Sequence, residues 1–449
     1  MDFSTATFEQ LLAKDGHACT CGHHHSTELR YLKIGQGAIR SLQEALLVLE
    51  AHKAFIVCDR NTYAAAWVHA APLLESARIP YVLHILDHPQ VEPDEYTVGS
   101  LCMAFDPGCD VIIAIGSGVI NDCCKVLAHV SGRRSIAIAT APSMDGYASN
   151  SSSMIQDRVK VSLYNSCPSA IIADTDILKD APKRMLQAGL GDMLAKYISL
   201  CEWRISHIVT GEYYCQNIAG LVRASLKKCI SAAEGLEKRE PAAIQAIMEG
   251  LVLSGIAMSY AKISRPASGL EHYFSHLWEM MALDRGKAYE LHGIQVGVGT
   301  WLTLRLYDDI RSMVPDRQKA EAFMANFDND AWEREMRSIF GKAADAVITN
   351  EHTKFKKNDP SLHALRLDTI ITHWDEIQSL IAQELPSADV IGQLMGRLQM
   401  PMTPADLGID REDTRAAFIG SREIRNKYLT SSLLWDLGLL HEMRLAELA

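Results

Sequence analysis

The periodicity of the chain changes once. Across roughly 29–175, short β-branched runs alternate with amphipathic stretches, whereas beyond residue 174 the β-rich runs vanish and a 3.6-residue period takes over. The candidate strands are 54–58, 81–85, 111–115 and 136–140, with helical stretches at 39–49, 62–77, 92–104 and 120–129 between them. Strands joined by helical crossovers pair in parallel, so this half predicts a doubly wound, Rossmann-like α/β domain. After Asp180-Ala181-Pro182, where Asp suits a cap and Pro a first turn, helices are expected within 193–226, at 241–261, 270–281, 294–306 and 317–325, and onward. The expected organisation is a nucleotide-binding α/β domain over 1–178 followed by a mostly α-helical domain over 179–449.

Charge narrows the partners. With 44 basic against 55 acidic residues and a net charge of -11, and with no Lys/Arg run able to track phosphates, a nucleic-acid partner is excluded. Apolar runs such as 111–115 break off after a few residues, far short of the ~20 that cross a bilayer, so no membrane span is expected. Met1-Asp2-Phe3-Ser4-Thr5 carries no basic or apolar leader, which makes the cytoplasm the expected location. The 11 scattered cysteines read as reduced thiols. Cys19, Cys21, His23, His24 and His25 crowd metal-ligand types together, but their spacing is that of no zinc finger. An exposed loop before the first strand is the expectation there, and a metal or redox role the alternative.

Two groups of residues carry chemistry. In the first, 111–115 runs into Gly116-Ser117-Gly118-Val119-Ile120-Asn121, a strand, a glycine turn and a helix start, where backbone amides converge on an anion. The third glycine of the G-x-G-x-x-G fingerprint is replaced by Asn121, so a plain tight turn remains an equal reading. Asp59 ends the strand at 54–58, placed either to hold a ribose and repel a 2′-phosphate or to cap the next helix. The run from Thr140 through Ser143 and Asp145 to Ser149 ends a further strand with hydroxyls and one carboxylate, Asp145 being either a substrate contact or a turn residue.

The second group holds Gly191-Asp192, Glu271-His272 with His276, and His292-Gly293. His272 and His276, four apart, share one face of a helix; both bind one metal, or one binds metal and the other meets substrate. The alternative for Asp192 is a helix cap paired with Lys196 at i+4.

These segments, taken with Thr-Ala-Pro-Ser-Met-Asp-Gly-Tyr-Ala-Ser at 140–149, Gly-Asp-x-x-x-Lys-Tyr at 191–197, Trp-Arg-x-x-His-x-x-Thr-Gly-Glu-Tyr-Tyr at 203–214 and Ser-Gly-x-Glu-His-x-x-Ser-His at 268–276, resemble the sn-glycerol-1-phosphate dehydrogenases. The likeness is nearest to their bacterial, AraM-like branch, within the group of glycerol dehydrogenase, iron-dependent alcohol dehydrogenases and dehydroquinate synthase. That resemblance implies a divalent metal, Zn²⁺ or Ni²⁺, held by Asp192, His272 and His292. It also implies substrate contacts from Asp145, Asp192 and His276, and NAD(P) contacts from Gly116, Ser117, Gly118, Val119, Ile120, Asn121, Thr140, Ser143 and Ser149. The family usually has three glycines where this chain has Gly116-Ser117-Gly118. The implied reaction is NAD(P)H-linked reduction of dihydroxyacetone phosphate, with NAD(H) favoured by Asp59 and NADP(H) an alternative. His276 or a water on the metal would relay the proton. Arg265 and Lys196 are the nearest cations in sequence for the substrate phosphate, the alternative for Arg265 being to hold its loop. Kinship also implies a homo-oligomer, a dimer being favoured. The rivals are a dehydrogenase of non-phosphorylated polyols, a dehydroquinate-synthase-like lyase and a non-catalytic metal- or nucleotide-binding protein.

Overall fold

Six strands form one sheet: β1 (Tyr31–Gly35), β2 (Ala54–Asp59), β3 (Tyr81–Leu86), β4 (Val111–Gly116), β5 (Arg134–Ala139) and β6 (Ala170–Asp174). In this computed structural model, which describes residues 1–88, 91–157 and 159–445, the order across the sheet is β1-β6-β5-β4-β2-β3. Every neighbouring pair is parallel. Alternate residues of the central strands feed two apolar layers. Ile56, Cys58, Ile113 and Ile115 pack with Trp67 and Leu74 on one face, and Phe55, Val57, Ile112 and Ala114 pack with Leu101, Cys123 and Leu127 on the other. A strand buried on both faces has no polar side to show, which is why 54–58 and 111–115 read as unbroken apolar runs.

The helices that matter for the site are α1 (Gly118–Ser131), α2 (Lys183–Leu194), α3 (Lys196–Thr210), α4 (Gln216–Ala232), α5 (Pro241–Ala261), α6 (Leu270–Asp284), α7 (His292–Ile310) and α8 (Arg411–Ser421). The chain divides into two compact units. The first comprises Met1–Leu194, Cys215–Ala267 and Leu291–Ile294, and the second Ala195–Tyr214, Ser268–Glu290 and Gln295–Ala449. The change of periodicity near residue 178 therefore lies inside the first unit, which keeps α2, α4 and α5 with the sheet.

α5 is the helix that bears on the expectation of no membrane span. Its 21 residues are long and apolar enough to cross a bilayer by composition alone, with a mean hydropathy of 1.5. The helix is instead a core element of the first unit, 78% buried over that window, because a helix apolar on all sides needs cover on all sides.

The second unit is almost wholly helical. Phe274 on α6 stacks on Trp278 at 5.4 Å and on Phe418 of α8 at 6.2 Å. Beneath lies a buried charge cluster. Arg422 donates to Asn358 Oδ1 at 2.8 Å and pairs with Glu423, Lys357 lies 3.5 Å from Glu423, and the Arg422 guanidinium sits 3.8 Å over the Trp435 ring. Burial pushes the Glu423 carboxyl up, but Arg422 and Lys357 outweigh it and hold the group below the usual carboxylate range.

Candidate active site

β2 and β4 are neighbours at the point where the chain order reverses, since the chain passes outward from β2 to β3 and then from β4 to β5 and β6. In open parallel sheets, ligands bind beyond the carboxyl ends of the strands at such a switch point. Asp59 and Gly116 close those two strands. Ser117 precedes the 14-residue α1 without making a side-chain cap, and its Oγ instead meets Ser143 Oγ at 2.5 Å. Val119, Ile120 and Asn121 form the first turn. Asp59 caps the helix that follows it, Oδ1 accepting from the Thr62 amide at 2.7 Å. The capping reading is thus realised with one carboxylate oxygen.

The segment 140–149 is knitted to this turn. The Thr140 amide donates to Gly116 O at 3.1 Å. Tyr147, fully buried, donates its hydroxyl to Ala141 O and Gly116 O at 2.8 and 3.2 Å. Asn121 Nδ2 and Ser149 Oγ both donate to Gly146 O, at 3.4 and 3.1 Å. Lys125, 1% exposed, reaches Gly146 O at 3.1 Å, Ser149 Oγ at 3.2 Å and Ser151 O, and pairs with Asp122 at 3.0 Å. Several residues expected to touch a cofactor therefore also fix the turn that presents Asp145.

Asp145 is held from two sides. Its amide donates to Asp192 Oδ2 at 2.9 Å, and its own Oδ2 accepts from Ser254 Oγ of α5 at 2.9 Å. Asp192, fully buried, lies inside α2 and not at its start, so the capping alternative for it is not realised. Gly189, one turn earlier on the same face, brings α2 against the loop: a Cβ there would stand 1.8 Å from Pro142 O. A Cβ on Gly293 would likewise stand 2.1 Å from Ala188 O, so the first turn of α7, with half-buried His292, packs directly on α2.

Within the second unit, buried His272 gives Nδ1 to Glu271 Oε1 at 2.8 Å, and the same oxygen accepts the Gly269 amide at 2.7 Å. A neutral imidazole so held carries its lone pair on Nε2, the tautomer a divalent cation requires. His276 follows one turn later, its ring 6.3 Å from that of His272, and places a ligand atom within 4.8 Å of one from Glu279. Glu279, Lys125, Tyr147 and Ser254 were not singled out from the sequence, and Glu271 was named there without a role. Glu271 had a signal, standing beside a candidate ligand, whereas Ser254 and Lys125 sit on helices remote in sequence from what they hold.

The doubly wound parallel sheet followed by a helical unit is the fold of dehydrogenases of the iron-containing alcohol dehydrogenase type. The family described as iron-containing alcohol dehydrogenase matches residues 33–182. Among solved structures, 1,3-propanediol oxidoreductase is similar with a TM-score of 0.59 at 16% identity, covering 92% of this chain and 98% of that one. A probable glycerol dehydrogenase from Sinorhizobium meliloti gives 0.58 at 16% identity, over 93% and 98%. Glycerol-1-phosphate dehydrogenase (NAD(P)+) of Halalkalibacterium halodurans is 37% identical over 309 residues, 68% of this chain and 76% of the relative. That of Bacillus licheniformis is 29% identical over 427 residues, 94% and 93%. The chain belongs to the glycerol-1-phosphate dehydrogenase family.

Proposed function

We propose that this chain is an oxidoreductase that reduces dihydroxyacetone phosphate to sn-glycerol-1-phosphate with NAD(P)H and a divalent metal. The observation that carries the reading is the coupling of Asp145 to Asp192 beside the strand–turn–helix at the sheet's switch point. It fixes the backbone of the residue that carries a substrate-type carboxylate against a metal-type carboxylate, next to the turn proposed to receive an anion.

The donor set suits a metal: Asp192 is a fully buried carboxylate and His272 has its tautomer fixed by Glu271. Asp192, His272 and His292 are the proposed ligands, and Zn²⁺ or Ni²⁺ the proposed ions, since both accept mixed nitrogen and oxygen donors. When bound, such a cation supplies Lewis-acid polarisation of a ketone. The chain's own residues do the rest. The amides at Gly116, Ser117, Gly118, Val119 and Ile120 receive the pyrophosphate, Asn121 closes the turn with its amide on Ser117 O at 2.9 Å, and Thr140, Ser143 and Ser149 line the same end of the sheet. Asp145, acceptor-only when ionised, orients the substrate hydroxyl, and His276 delivers the proton to the developing alkoxide oxygen. The free oxygen of the Asp59 carboxylate meets the ribose, which favours NADH over NADPH.

The test is NADH oxidation with dihydroxyacetone phosphate against dihydroxyacetone, glycerol and other unphosphorylated polyols, repeated with NADPH. Turnover that requires the phosphate supports the reading. Equal or better turnover without it would select the polyol dehydrogenase instead.

A further inference from the structure

The cysteine–histidine run near the N-terminus is not the exposed loop its composition suggests. His17–Ala18 and His24–His25 pair as a two-residue antiparallel ladder, and the turn between them is closed by bonds from the Cys19 amide to His23 O at 3.1 Å and from the Gly22 amide to Cys19 O at 3.0 Å. Gly22 takes a φ of +84° there, which a residue with a Cβ adopts at a cost. The ladder turns His25 inward, where it is 1% exposed, and leaves His23 and His24 outside. Opposite stands Cys215, fully buried, in the position just before α4.

From this arrangement we infer a second metal site, a structural Zn²⁺ held by Cys19, Cys21, His25 and Cys215. The ligand atoms of all four lie within 4.8 Å of one another. Cys19 Sγ and Cys215 Sγ are 3.7 Å apart, Cys21 Sγ and His25 Nε2 3.3 Å, and Cys215 Sγ and His25 Nε2 3.7 Å. Tetrahedral zinc with Zn–S of about 2.3 Å and Zn–N of about 2.0 Å requires edges of about 3.8 Å between sulfurs and about 3.5 Å between sulfur and nitrogen. These three edges are within a few tenths of an ångström of those lengths.

The surroundings fit the same ion. His25 Nδ1 faces the Tyr260 carbonyl at 2.9 Å, so Nε2 is the ligating nitrogen. The imidazole stacks on the Tyr260 ring at 5.8 Å, and Phe3 meets it edge-on at 5.8 Å. Zinc binding expels the three thiol protons to solvent and leaves a net charge of −1. Asn217 Nδ2, donating to Cys19 Sγ at 3.3 Å, and the amide end of α4 beside Cys215 oppose that charge. Four protein ligands leave no open position, which makes the site structural and not catalytic. Thiolate donors select zinc over the harder divalent ions. The ion would tie the first 25 residues to α4 and α5 of the first unit.

X-ray absorption at the zinc edge of the purified wild-type protein, kept reduced, tests this independently of the catalytic proposal, whose ligand set contains no sulfur. The expected spectrum has a Zn–S shell at about 2.3 Å, and Cys215→Ser should lower the zinc content by one per chain while the catalytic metal stays. A zinc spectrum without sulfur, or a folded Cys215→Ser protein with undiminished zinc, would overturn the inference.

Discussion

The backbone amide of Asp145 donates a 2.9 Å hydrogen bond to Oδ2 of Asp192. Because the donor is main chain, the bond survives replacement of the Asp145 side chain, and the two carboxylates can be tested separately. Asp145→Asn should leave the Asp192 geometry, the metal content and NADH affinity intact. Its kcat/KM should fall by about 10²-fold or more, the scale on which one positioned catalytic group acts. Steady-state kinetics beside metal analysis separates this from Asp192→Ala, for which loss of metal and loss of activity are expected together.

Glu271 fixes the His272 tautomer through a 2.8 Å bond, so Glu271→Gln should weaken catalytic metal binding by about ten- to a hundredfold. Titration of the metal-stripped protein reads this directly. An unchanged affinity would remove His272 from the ligand set.

Gly189→Ala reverses the usual helix preference. In an exposed helix interior, Ala is favoured over Gly by about 1 kcal/mol, but here the new Cβ would fall 1.8 Å from Pro142 O. Overpacking of this kind costs about 1–3 kcal/mol, and the displaced loop carries Asp145. Thermal unfolding should show a lower Tm, with activity falling alongside; a stabilised, active variant would contradict the packing described here.

These contacts mark the boundary of what the residues alone reveal. Strands β2, β4 and β5 were legible because complete burial writes itself as continuous apolar runs, and α1 and α5 because their apolar residues recur at helical spacing; β6, equally buried, was not singled out. β1, Tyr-Leu-Lys-Ile-Gly at the sheet edge, was not, since an edge strand need not be apolar. Nor was the hairpin pairing Ser151–Gln156 with Val159–Tyr164, whose first strand begins with three serines. The carboxylate and imidazole candidates were visible as types. Their supports, Ser254 109 residues beyond Asp145 and Cys215 190 residues beyond His25, depend on tertiary proximity and leave no local pattern.

Glu423 supplies a pH-dependent part of the stability of the second unit. Its folded-state pKa is depressed by Arg422 and Lys357 against the opposing effect of burial. The stabilisation is therefore complete above the unfolded carboxyl value of 4.5 and is lost as pH falls through the lower folded value. Glu423→Gln leaves Arg422 and Lys357 uncompensated and should cost about 3–5 kcal/mol near neutral pH. Denaturant unfolding at a series of pH values should show wild type and variant converging toward acid. A pH-independent gap would contradict the assignment.

Chiral analysis of the product formed from dihydroxyacetone phosphate and NADH tests the central claim most directly. The account predicts sn-glycerol-1-phosphate as the sole enantiomer, because a ketone held by a metal and by Asp145 presents one face to a nicotinamide fixed at the end of the sheet. Formation of sn-glycerol-3-phosphate, or of a racemate, would contradict it.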